Sequence, residues 1–99
     1  MFGSAKLKVP NGKLVISKVR FSETIESVQI LGDFFMHPEE GVFRIEESLN
    51  GLGVSEPEGR ISEIINAVVK KERIEMIGVD TASIAKVVTV AIRNGMASN

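Results

Sequence analysis

The chain has 99 residues, 43% of them hydrophobic, with 12 basic and 13 acidic side chains, enough for one domain spanning 1–99 and too balanced in charge for a nucleic-acid binder. Cysteine is absent, which excludes disulfides, thiolate metal sites, cysteine nucleophiles and cysteine-held iron–sulfur clusters. The first residues lack the apolar core of a signal peptide, and no apolar run nears the roughly 20 residues of a bilayer span, so a cytoplasmic protein without membrane contact is expected.

Lys6 to Val9 alternates charged and apolar, Pro10-Asn11-Gly12 follows, and Lys13 to Ile16 resumes the strand pattern. Asn-Gly favours a two-residue hairpin turn, because both central residues of that turn need positive φ. With Asn11-Gly12 at the tip, Val9 faces Leu14 and Leu7 faces Ile16, which would put these four on one face. Val19 and Phe21 fall on the opposite phase, so the pattern switches near Ser17-Lys18. Either a bulge resets it there, or both faces of the strand are partly covered. Ile25 to Leu31 reads as a third strand ended by Gly32, with Val28 and Ile30 on one side and Ser27 and Gln29 on the other.

Gly32-Asp33-Phe34-Phe35-Met36-His37-Pro38 joins this strand to a helix predicted over residues 38–50, with Val42, Ile45 and Leu49 on its inner face. Pro38-Glu39-Glu40 suits a first turn, Gly41 weakens the helix, and Gly51 suits its end. Ser55-Glu56-Pro57-Glu58 fits a capping box with Ser55 as N-cap. The second helix carries the stripe Ile61, Ile64, Ile65, Val68 and Val69, with Lys70 and Lys71 at its end. Residues 72–79 either finish that helix or form an extended link. Asp80 is a plausible N-cap for a last helix over 81–94, buried through Ile84, Val87, Val88, Ala91 and Ile92, capped by Gly95 and frayed from Met96 to Asn99.

The expected architecture is α+β: a three-stranded antiparallel meander covered on one face by about three helices, the other face left open for association. That layout is similar to iron–sulfur scaffold proteins, whose function the missing cysteines remove.

No catalytic constellation emerges. The one histidine, His37, has no metal-spaced partner ligand, and Asp33 is better read as a turn former than as a general base. Glu39-Glu40 and Glu46-Glu47 are adjacent helix positions that point apart, not carboxylate dyads. Gly51-Leu52-Gly53 lacks the Lys-Ser/Thr of a nucleotide loop. No catalytic and no metal-binding residue is therefore assigned. The candidate surface is basic and aromatic: Lys6 and Lys8 on one side of a strand, Lys18 and Arg20 likewise, then Asp33, Phe34, Phe35 and His37 at the joint. Of the two adjacent phenylalanines, one is expected inward and one at an interface.

Residues 8–15, 25–30, the Gly32-Asp33-Phe34-Phe35 joint with Pro38-Glu39, and the later Ile45-Glu46 and Leu49-Asn50-Gly51 resemble the C-terminal accessory domain of lipoate–protein ligases. The chain begins just before the hairpin, so it looks like the separate small subunit of a split, archaeal-type ligase. The resemblance implies a non-catalytic accessory subunit in a heterodimer. Its catalytic partner would use lipoate, ATP and a divalent metal (magnesium) to form lipoyl-adenylate, then pass the lipoyl group to a lysine of an acceptor domain. A different-class alternative is a stand-alone protein-interaction module for another enzyme, with no role in lipoate chemistry.

Overall fold

In the computed structural model, which describes residues 1–98, three strands form an antiparallel sheet in the order β1 (Phe2–Lys8), β2 (Leu14–Phe21), β3 (Ile25–Gly32). Three helices follow, α1 (Gly41–Leu49), α2 (Glu58–Lys71) and α3 (Thr81–Ala97). Helix α3 lies across β1 and β2, α1 lies against β3, and α2 packs on both helices. The expected α+β architecture is thus present. To it is added a second, two-stranded sheet of β4 (Phe35–His37) and β5 (Glu75–Ile77).

The hairpin register differs by one residue from the expectation. Lys8 pairs with Leu14, Leu7 with Val15 and Lys6 with Ile16. The cause is the turn. Gly12 N–H donates to the Val9 carbonyl at 2.8 Å, so Pro10 and Asn11 are its central residues. Proline presets the first of these, and Asn11 takes the positive φ of 58° that the second requires. A one-residue slip moves a whole strand to the other face. Val15, Ser17, Val19 and Phe21 therefore point into the core, and Leu14 and Ile16 lie on the opposite face from Val9. No phase switch occurs at Ser17-Lys18. The bulge is in β3, where Arg20 pairs with Ser27 and Phe21 with Ile25, leaving Glu26 as the extra residue. That residue lets Ile25 and Val28, three apart, both be buried.

Helix α1 starts at Gly41, not at Pro38. The preceding residues are drawn into β4, and Pro38 to Glu40 make a turn in which the Pro38 carbonyl accepts from Gly41 N–H at 2.9 Å. Gly41 thus opens the helix and does not interrupt it. Gly51, with φ of 88°, follows the helix end as expected. Residues 51–54 then run beside the β2–β3 turn, with Ile25 N–H donating to Leu52 and Val54 N–H to Glu23. This pairing carries Ser55 away from the helix start. Pro57 occupies the N-cap of α2 and no side chain caps it, so the capping box does not form. The stripe on α2 is as expected, with Ile61 and Ile65 fully buried and Ile64, Val68 and Val69 partly so.

Beyond α2, Arg73 adopts a positive φ of 53° and redirects the chain into β5. The extended alternative for this segment is the one realised. Asp80 caps α3, its Oδ1 accepting from Ser83 N–H at 2.7 Å. Gly95 is not a C-cap. It sits inside α3, where a Cβ would lie 2.7 Å from the Phe21 ring and 2.8 Å from the Phe2 carbonyl oxygen. Gly3 faces the same contact, since a Cβ there would lie 1.8 Å from the Ala91 carbonyl oxygen. The two glycines let the helix rest directly on β1. Of the expected frayed end, Met96 and Ala97 are helical, Ser98 is the C-cap, and Asn99 lies outside the described residues.

Candidate functional site

The helices bury one face of the sheet, and the alternation along each strand sets what the other face carries. On β1, Lys6 and Lys8 point away from the core and are exposed. On β2, Lys18 and Arg20 do the same, beyond half-buried Leu14 and Ile16. Register places Ile16 between Lys6 and Leu31, and Lys18 between Ser4 and Gln29. Phe2, opposite Arg20, is 58% exposed. The four basic residues named from the sequence are thus brought to one open surface. Its apolar component, Leu14, Ile16 and Leu31, was assigned to the wrong side or not assigned at all. Regular alternation from Val15 to Phe21 was the signal for it, masked by the apolar character of the outward pair.

The cations are not equivalent. The Lys8 ammonium donates to the Val9 and Gly12 carbonyls and so closes the hairpin turn. Lys6, Lys18 and Arg20 form no ion pair among the described residues. Glu46 of α1 lines a groove on this side with Phe2, Lys18, Arg20, Ser27 and Gln29. Its carboxylate is already engaged, accepting from Ile30 N–H of the outer strand at 2.7 Å. Burial raises the Glu46 pKa above the ordinary glutamate value, and the Ile30 hydrogen bond only partly offsets this. Glu46 was missed as a strand-edge cap because only the tertiary fold brings α1 to β3.

The two phenylalanines of the joint differ in burial. Phe34 is half-buried against the core, and Phe35 is 70% exposed. In the β4–β5 ribbon Phe35 lies opposite Ile77, itself 55% exposed, and exposed His37 lies opposite Glu75. Ile77 was not singled out from the sequence, because the ribbon that displays it was not foreseen. Asp33 is exposed, and its side chain makes no turn hydrogen bond; only its backbone N–H donates, to Leu14 at 3.2 Å.

Among the described residues no group of three or more His, Asp or Glu side chains is placed to hold a metal ion. A groove between α1 and α2 is charged but internally paired, Arg44 to Glu47 at 3.4 Å and to Glu72 at 3.8 Å. Among the described residues no helix is long and apolar enough to cross a membrane. The arrangement offers a basic and apolar surface for contact.

No protein-family model matches the sequence, and no curated protein matches it. A solved structure is similar over nearly the whole chain: a chain from an archaeal lipoylation system of Thermoplasma acidophilum, comprising a bi-partite lipoate protein ligase and its lipoyl domain. The TM-score is 0.68 at 26% identity, covering 94% of this chain and 96% of that one. The likeness drawn from the hairpin and the Gly32–Phe35 joint therefore extends to the backbone of most of the chain.

Proposed function

We propose that this chain is the accessory subunit of a two-component lipoate–protein ligase. The observation that carries the proposal is the similarity to a chain of the bi-partite ligase system across 94% of the residues. The open sheet face and the exposed Phe35 supply surface for a partner. In this role the chain contributes no reacting group. Its partner holds lipoate, ATP and magnesium, and this chain orders the partner's active site so that adenylate forms away from water. The lipoyl group then passes to a lysine of an acceptor domain. A cytoplasmic setting, where ATP is available, fits this role.

Mixing the chain with the catalytic subunit and measuring the mass of the complex by light scattering tests this. A one-to-one heterodimer is expected. Elution of the two as separate species contradicts it. Mass spectrometry of the same mixture after turnover adds a control, because an accessory subunit leaves unmodified, whereas a gained lipoyl group would make this chain an acceptor.

A further inference from the structure

The protein as a whole is slightly acidic, yet its open sheet face is not. Lys6, Lys8, Lys18 and Arg20 all emerge there, and the one carboxylate borne by the three strands is that of exposed Glu26, at the β3 bulge. Like charges on neighbouring strands repel, and among the described residues Lys6, Lys18 and Arg20 form no ion pair. Beside them Ile16 and Leu31 pair directly across the strands, with Leu14 two residues along. Aliphatic side chains flanked by unpaired cations, arginine among them, are the composition of a protein contact with an apolar centre and a charged rim. A phosphate backbone would meet the cations but leave the aliphatic row uncovered, and a net charge of −1 is not the strongly basic balance of a nucleic-acid-binding domain.

We propose that the open face of the sheet docks a carboxylate-bearing protein surface, with Leu14, Ile16 and Leu31 on its apolar centre and Lys6, Lys18 and Arg20 on its acids. This rests on the accessory-subunit reading for the partner's identity, the catalytic subunit; its chemistry is read from the face itself. Electrostatic complementarity of this kind acts mainly on association rate and weakens with salt.

The test reverses charge at two exposed positions, Lys18→Glu with Arg20→Glu, in the full chain. Surface plasmon resonance against the catalytic subunit is run from about 50 to about 500 mM NaCl. The association rate is expected to fall by about 10-fold or more in the double variant at low salt, and its salt dependence to flatten. Unchanged rate and affinity overturn the proposal while leaving the accessory role standing. A second arm does not depend on the catalytic subunit. Amide shifts of the full chain are mapped with poly-L-glutamate and, separately, with single-stranded DNA. Shifts confined to the sheet face with poly-L-glutamate support the proposal even where the catalytic subunit fails to bind, an outcome that removes the accessory reading alone. Stronger binding of DNA to that face overturns the proposal in favour of nucleic acid.

Discussion

Replacing Gly3 by alanine tests the contact on which the packing of α3 depends. The added methyl would sit 1.8 Å from the Ala91 carbonyl oxygen and 2.8 Å from its carbon. Ordinary carbon–oxygen contacts begin near about 3.3 Å, so strand and helix must separate by roughly 1.5 Å. Both atoms groups are backbone, and no side chain can swing aside to absorb the change. Overpacking costs about 1–3 kcal/mol, and this site belongs at the upper end. For a domain of this size each kcal/mol moves Tm by roughly 4–8 °C, so Gly3→Ala is expected to melt at least about 12 °C early. Gly59→Ala is the control, since a Cβ there meets nothing within 4 Å. It lies in α2, where alanine gains up to about 1 kcal/mol over glycine, and should melt slightly later. Thermal denaturation followed by circular dichroism reads both. If Gly3→Ala melts within a few degrees of the parent, α3 does not rest on β1 as described.

Ser17 is fully buried and its hydroxyl has no hydrogen-bond partner among the described residues, so Ser17→Ala should raise stability by about 1 kcal/mol. A urea midpoint that does not rise at unchanged slope would mean that the hydroxyl is satisfied. Burial raises the Glu46 pKa, so the folded state holds that proton more tightly than the unfolded chain. The associated stability is full below the unfolded value and is lost as pH rises through the raised folded value. Glu46→Gln keeps an acceptor for Ile30 N–H and removes this decline, so the variant's advantage in urea should grow from about pH 4 to neutrality; a constant difference refutes the effect. Phe34→Ala should cost about 2 kcal/mol of stability, given its partial burial, whereas Phe35→Ala should cost under about 0.5 kcal/mol. The Phe35 change should instead weaken the heterodimer measurably, and an unaltered Kd would take Phe35 out of the interface.

What could be read in advance follows the range of the forces involved. The stripes of α2 and α3 and the Asp80 cap rest on neighbours three or four residues away, and all were legible. The hairpin was legible as a hairpin, but its register turned on whether Pro10 or Gly12 shared the turn with Asn11. That choice decided the side of Leu14 and Ile16. The β4–β5 ribbon joins residues 35–37 to 75–77, each strand too short to carry a period, and so it was invisible. Gly95 looked like a helix stop because a local rule says so. Its actual reason, the closeness of Phe21 and Phe2, is tertiary. Period-two alternation was enough to put Lys6 with Lys8 and Lys18 with Arg20, each pair on one side of its own strand, but that the two pairs share a face follows from the observed register and needed the fold. Their apolar neighbours and the Glu46 clasp needed the fold.

The accessory role is tested most directly by pyrophosphate release from ATP and lipoate on the catalytic subunit, measured with and without this chain. Release should be near background for either chain alone and should rise to a maximum at one equivalent of this chain. Full release by the catalytic subunit alone, or by this chain alone, contradicts that role.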